Sequence, residues 1–213
     1  MPKGSVLGPM VICGICFTNS DTNYLSEIGV KDSKKLSPQK RCDLAQILKN
    51  KCHSQKTIII SPQEIDNREI IKITMNRLEE LKMAEIINGL KPNIIYIDAA
   101  DVNEDRFGIS IQKLLNFLPK KIISKHKADD LYPIVSAGSI IAKDKRDDLI
   151  RQLHKKYGDF GSGYPSDVRT IEFLRNFIRK NKKVPNIARK SWDTIKRILN
   201  EELFNKKITD FFS

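Results

Sequence analysis

Two short acidic stretches carry much of the chemical potential of this chain. The apolar run Asn93-Ile94-Ile95-Tyr96-Ile97 ends in Asp98-Ala99-Ala100-Asp101, and the polar segment Lys125-His126-Lys127-Ala128-Asp129-Asp130 follows the next apolar stretch. A strand that brings an acid to its tip, beside small residues that admit something bulky, suits a metal or a phosphate at that tip. If neighbouring strands bring Asp98 and Asp129 to one sheet edge, two carboxylates about 4 Å apart repel by roughly 4 kcal/mol at an effective dielectric of 20, and the pair needs a cation or a proton. Hard oxygen ligands of this kind select Mg²⁺ or Mn²⁺. Loop aspartates that are merely solvated, or that cap a helix, fit the same spacing, and these residues taken alone favour that plainer reading.

The elements that must position the acids mix strand and helix. Val6 to Phe17 is strand-like, and Ser37-Pro38 opens a helix to about Lys51 with Leu44, Ile47 and Leu48 on one side. Lys56 to Ile60 reads as a strand, and a longer helix from about Ile71 to Leu90 carries Ile71, Met75 and Leu78 at helical spacing before Pro92. The strand Asn93–Ile97 follows, then a helix over Asn103–Leu118, a short strand at Lys121–Ser124 and a helix over Ser136–Tyr157 with Ile141, Leu149 and Leu153 inward. Helices over Arg169–Lys180 and Ser191–Leu203 complete the pattern. This order predicts an α/β sheet domain over residues 1–150, a helical region over 151–204 and a tail over 205–213.

A chain of 213 residues, 40% hydrophobic, can bury one sizeable core with a smaller helical extension. No apolar run reaches the roughly 18 residues needed to span a bilayer, and no signal-peptide core precedes a cleavage site, so a cytoplasmic protein is expected. The formal charge of +12 favours polyanions, nucleic acid first, although a Lys-rich chain can be basic for solubility alone. The C-x-x-C pair Cys13 and Cys16 lies inside the run Met10–Phe17, which reads as a strand buried on both faces, so buried thiols are expected. The alternative is a redox pair or a zinc site completed by Cys42, Cys52 and His53.

Six motifs then occur in an order that resembles archaeal ribonuclease HII. They are Gly4-Ser5-Val6-Leu7-Gly8-Pro9, Lys31-Asp32-Ser33-Lys34-Lys35-Leu36-Ser37-Pro38, Asp98-Ala99-Ala100-Asp101-Val102, His126-Lys127-Ala128-Asp129, Ser136-Ala137-Gly138-Ser139-Ile140-Ile141-Ala142-Lys143 and Gly161-Ser162-Gly163-Tyr164-Pro165-Ser166-Asp167. The resemblance runs from Lys3 to Ser213. It implies an α/β fold with an RNase H-like mixed sheet flanked by helices and a helical C-terminal region. It also implies cleavage of RNA paired to DNA, including single ribonucleotides embedded in duplex DNA, by two-metal phosphodiester hydrolysis with Mn²⁺ or Mg²⁺. By the resemblance, Asp98 and Asp129 fall on two of four metal-binding catalytic acids. Tyr164 falls on the tyrosine that contacts the sugar at the ribonucleotide to deoxyribonucleotide junction. Lys34, Lys35 and Lys143 would meet phosphates, Lys3 would bind substrate, and Gly4, like Gly163, would allow close backbone approach. Read without the resemblance, the lysines are solvated charges, Gly163 a turn residue and Tyr164 a packing aromatic beside Pro165.

The resemblance has one gap. The family opens with Asp-Glu-Ala-Gly, then Arg or Lys, then Gly; Lys3-Gly4 match the last two positions, and the Asp and Glu do not stand before them. A start codon placed too late is the favoured explanation, with a shortened expressed form or a member that no longer cleaves as the others. The tail Asn205–Ser213 resembles the short peptide that docks on sliding clamps, with Ile208 as aliphatic plug and Phe211-Phe212 as aromatic pair, although Asn205 stands where that peptide usually has Gln. The same aromatics could instead fold back onto the protein.

The leading expectation is a monomeric, metal-dependent endoribonuclease acting on RNA–DNA hybrids. A non-cleaving hybrid-binding or clamp-associated module predicts the same salt-weakened binding but no metal-dependent cutting lost on Asp98→Asn. A phosphatase or other small-molecule metalloenzyme on a similar sheet would show no preference for ribose-containing duplex.

Overall fold

The computed structural model describes residues 4–30 and 36–204. Lys3, Lys34, Lys35, Ile208, Phe211 and Phe212 lie outside the described residues. Strands β1 (Met10–Cys16), β2 (Ser54–Ile60), β3 (Ile94–Asp98) and β4 (Lys121–Lys125) are interleaved with helices. These are α1 (Thr22–Glu27), α2 (Pro38–Lys51), α3 (Pro62–Ile70), α4 (Met75–Leu90), α5 (Glu104–Gln112), α6 (Ala128–Leu131), α7 (Pro133–Tyr157), α8 (Val168–Asn181) and α9 (Asp193–Leu203).

Helix starts follow local chemistry. Ser37, Ser61, Thr74 and Asn103 each accept a hydrogen bond from the backbone N–H three residues on, and proline stands at the first position of α2 and α3. The Ser-Pro signal that marks α2 recurs at Ser61-Pro62, so the helix expected from Ile71 is two elements. Its first part is α3, a turn with Lys72 at φ 55° follows, and α4 starts only at Met75. Ile71 closes α3 and is 64% exposed rather than inward. The helix expected to reach Leu118 stops at Gln112, and the strand expected from Val6 starts at Met10, Leu7 making an isolated antiparallel bridge with Ala188 instead.

The chain forms two compact units. One holds the described residues of Val11–Ile59 and Ile73–Arg146. In it β1 lies beside β2, and β3 pairs in parallel with β4 in the register Ile94↔Lys121 to Asp98↔Lys125. Along β3, Ile95 and Ile97 are buried with Ile87, Phe107 and Ile111, and the chain then delivers Asp98 exposed at the strand tip. Each such buried side chain contributes about 1.5–3 kcal/mol, which is what holds the tip in place. A second cluster packs Leu25, Val30, Leu44, Ala45 and Leu48 against Ala137, Ile140 and Ile141 of α7. Gly138 permits that approach, because a Cβ there would lie 3.0 Å from the Cys13 carbonyl oxygen.

Strand β1 is half-buried along its length, not buried on both faces as expected, and Cys13, Cys16, Cys42 and Cys52 are half-buried free thiols. Burial pushes the Cys13 and Cys52 thiols above their ordinary range. Among the described residues no group of three or more His, Cys, Asp or Glu is placed to hold a metal, so the cysteines form no zinc site.

The other unit holds the described residues of Met1–Met10, Ile60–Lys72 and Asp147–Ser213. The Val6 and Leu7 amides both donate to the Gly163 carbonyl at 2.8 and 3.1 Å, Gly8 N–H donates to Ile187 O at 2.8 Å, and Arg189 N–H donates to Val6 O at 3.0 Å. Helices α8 and α9 bury Leu174, Ile178, Ile195 and Ile198 and are tied by Arg175 to Glu201 and Glu202. No described helix is long and apolar enough to cross a membrane.

Candidate active site

The parallel register of β3 and β4 sets Asp98 opposite Lys125. The Ala99 N–H donates to the Lys125 carbonyl at 3.0 Å, which extends the ladder one step past the strand. Lys127 then takes a left-handed conformation, φ 53°, and turns the chain into the short helix α6. As a result the Ala128 N–H donates to Asp98 Oδ1 at 3.0 Å, and Asp129, half-buried, is the next residue. The two acids singled out in the sequence are therefore brought to one end of the β3–β4 pair. Their donor set, carboxylate oxygen only, fits Mg²⁺ or Mn²⁺, which take one or two protein carboxylates and complete the shell with water and substrate oxygens.

Acids missed as site residues brace this end. Glu104, in the first turn of α5, pairs with Lys125 and accepts the His126 N–H at 2.9 Å, fastening the loop that leads to Asp129. The Lys125 ammonium holds the Glu104 carboxyl below the usual range. Asp101 is held low in the same way by the Arg106 guanidinium, which also donates to it through Nε at 3.2 Å. The signal was present in the sequence as Asn103-Glu104, an N-cap followed by an acid in the first turn.

Tyr164 belongs to the other unit and stands 39% exposed at the end of a turn with two left-handed glycines, Gly161 at φ 74° and Gly163 at φ 79°. Asp167, the N-cap of α8, accepts the Ser162 N–H at 2.8 Å, and the buried Thr170 accepts the Gly163 N–H at 3.0 Å. Gly4 is in the same unit, where an added Cβ would meet Arg189 Nη1 at 3.3 Å and Trp192 at 3.5 Å. Lys143 sits half-buried on α7 in the unit that carries the acids.

A family model described as ribonuclease HII matches residues 2–195. The ribonuclease HII of Methanocella arvoryzae is 49% identical over 198 residues, covering 92% of this chain and 88% of that protein. Among solved structures, ribonuclease H2 from Pyrococcus horikoshii OT3 aligns with a TM-score of 0.90 at 40% identity, covering 96% of each chain. The ribonuclease HII in a PCNA:RNase HII complex from Archaeoglobus fulgidus aligns at 0.84 and 38% identity, covering 99% of this chain and 97% of that one. With a family match over most of its length, and the same fold in solved relatives, the chain belongs to the ribonuclease HII family.

Proposed function

We propose that this protein is an endonuclease that cleaves the RNA strand of RNA–DNA hybrids and cuts at ribonucleotides embedded in duplex DNA. The observation that carries the reading is the seating of Asp98 against the Ala128 amide, one residue before Asp129, in a chain of the ribonuclease HII family. Asp98 and Asp129 are the catalytic acids that hold Mg²⁺ or Mn²⁺, and the bound ion supplies an activated water and charge stabilisation at the scissile phosphate. The protein's own groups do the rest. The Ala128 amide and the Glu104 brace fix the carboxylates before substrate arrives, so little reorganisation is left for the reaction. Tyr164 meets the sugar that carries the 2′-hydroxyl, Gly4 allows close backbone approach and Lys3 binds substrate, while Lys34, Lys35 and Lys143 meet phosphates and position the duplex without reading sequence.

The tail residues Ile208, Phe211 and Phe212 are proposed to dock on a sliding clamp, a reading supported by the relative from Archaeoglobus fulgidus that was solved with PCNA. The catalytic part is assigned to residues 1–150 and the protein to the cytoplasm as a monomer.

A non-cleaving hybrid-binding module is the second reading. It predicts the same salt-weakened binding of hybrids without metal-dependent cutting. A cleavage assay on duplex DNA with one embedded ribonucleotide decides between them. It is run with Mg²⁺ or Mn²⁺ on the chain as given and on a version that supplies Asp-Glu-Ala-Gly ahead of Lys3. Cutting that requires the ribonucleotide and is lost in Asp98→Asn supports the endonuclease. Binding of the hybrid without cutting in either version overturns it in favour of the module.

A further inference from the structure

We infer that Thr170 is a positioning residue for ribose recognition, its hydroxyl locking the turn that presents Tyr164; the inference rests on the endonuclease reading above. Thr170 is fully buried, and its single hydroxyl is engaged on both sides. It accepts the Gly163 N–H at 3.0 Å and donates to the Phe160 carbonyl at 2.9 Å. A hydroxyl so held has one orientation, and it dictates that of the peptide before Gly163.

The turn needs such a lock. Gly161 and Gly163 both have positive φ, a region glycine leaves at little steric cost, so the backbone itself does not choose this conformation over its alternatives. Asp167 supplies a second anchor at the Ser162 N–H, 2.8 Å away, and its carboxylate oxygen lies 2.5 Å from where a Gly161 Cβ would be. On its other side Gly163 uses its carbonyl to accept both the Val6 and Leu7 amides. The Thr170 hydroxyl thus fixes the Ser162–Gly163 peptide, while the Val6 and Leu7 amides fix the following Gly163–Tyr164 peptide through its carbonyl, so the two peptides that lead into Tyr164 are held one on each side of Gly163. The residue assigned to the sugar is thus presented by one hydrogen-bonded assembly within one unit.

Replacing the hydroxyl by a methyl group of the same shape leaves the Gly163 N–H and the Phe160 carbonyl unpaired in a buried place, and rotation of the glycine peptide is the available relief. Tyr164 directly follows Gly163, so a change in the Gly163 backbone dihedrals displaces it. The role is one of selectivity as well as rate, because misplacing a sugar-reading side chain weakens the preferred substrate and leaves binding to phosphates untouched.

The test is a double-mutant cycle on kcat/KM for duplex DNA with one embedded ribonucleotide, using the version of the chain that cuts. Thr170→Val lowers kcat/KM by about 10- to 100-fold, as expected for a displacement on the order of 1 Å, and Thr170→Ser, which keeps the hydroxyl, stays within about threefold of the parent. In a Tyr164→Ala background Thr170→Val causes less than about a threefold further loss, because the residue it acts through is gone. Affinity for all-DNA duplex of the same length is unchanged. An equal loss in both backgrounds, which a purely structural role would give, or no loss in either, overturns the inference. If Thr170→Val shows no cooperative thermal transition, Asp167→Ala is carried through the same cycle with the same deciding outcomes. Failure of the parent to cut at all overturns the endonuclease reading and the inference with it; cutting by the parent with no coupling to Tyr164 overturns the inference alone.

Discussion

Asp98→Asn separates a metal ligand from a structural cap, because the two roles predict different dependences of stability on metal. The side-chain carbonyl of asparagine can still accept the Ala128 N–H now held at 3.0 Å, so what changes is mainly charge. Losing charge assistance on that bond costs about 1 kcal/mol. Relief of repulsion from Asp129, which follows the amide that Asp98 accepts, offsets it by about 1 kcal/mol, the scale for a charge pair with an exposed member such as Asp98. Without metal, the variant therefore unfolds within about 1 kcal/mol of the parent, a shift of roughly 2–4 °C for a chain of this size. Metal then distinguishes them. At a free Mn²⁺ concentration 100 times the dissociation constant, a single site stabilises the parent by about 2.7 kcal/mol, or roughly 5–11 °C. Asp98→Asn loses most of that increment and slows cutting by on the order of a thousandfold. The assay is thermal unfolding by circular dichroism over a Mn²⁺ titration in chelator-treated buffer, read beside cleavage. An equal Mn²⁺-dependent gain in both proteins, or a metal-free loss above about 3 kcal/mol in the variant, would refute the ligand role and leave Asp98 as a cap on α6.

Other perturbations probe the surrounding structure. Tyr164→Ala should lower cutting at an embedded ribonucleotide on the order of tenfold or more while moving the unfolding midpoint little, since the ring is 39% exposed; parallel kinetics and thermal melts check this. Gly8→Ala should destabilise by about 1–3 kcal/mol in urea titrations, because Gly8 has φ 80° and its added Cβ would lie 2.7 Å from Ile150 Cδ1. The carboxyls of Asp101 and Glu104 are held low, first by Arg106 and Lys125 respectively, so the stability they contribute is present above their ordinary values near pH 4 and is lost as pH falls through the lowered folded values. Melts from pH 2 to 6 should therefore show a shallower acid limb in Glu104→Gln than in the parent.

Local signals in the sequence exposed several elements and the strand tip that carries Asp98. Ser37-Pro38 located α2 because an N-cap and a first-turn proline act within four residues, and the apolar run before Asp98 located β3 because alternate burial of Ile95 and Ile97 leaves its tip to the acid. The same local rule applies at Ser61-Pro62, but the helical spacing of Ile71, Met75 and Leu78 runs on across the turn at Lys72 and hides the break between α3 and α4. What the sequence could not display is pairing over long separations. Val6 and Leu7 meet Gly163, and Gly8 meets Ile187, so the segment expected to start a strand is instead held by residues more than 150 positions away. No periodicity within a strand or helix encodes such a partner.

Lys127 shows how the two kinds of information meet at the acids. A lysine at φ 53° costs about 1 kcal/mol or more relative to ordinary helical or extended backbone, and nothing in His126-Lys127-Ala128-Asp129 asks for it locally, as a glycine would. At Lys91 and Lys182 the same conformation ends a helix, where it is common and the cap N–H bonds back to the helix. At Lys127 it begins one, and the compensation comes from elsewhere: Glu104 takes the His126 N–H on one side, and Asp98 takes the Ala128 N–H on the other. The strained residue is thus fixed by two carboxylates from separate segments, and it opens the helix in which Asp129 follows the amide that Asp98 accepts. Lys127→Gly removes the strain but also widens the unfolded ensemble, so its stability should change by less than about 1 kcal/mol. Lys127→Val, whose branched side chain resists positive φ, should instead pull α6 out of register and weaken Mn²⁺ binding, seen as loss of the metal-dependent melting increment. Retention of the full increment in Lys127→Val would mean that the left-handed turn does not set the acids.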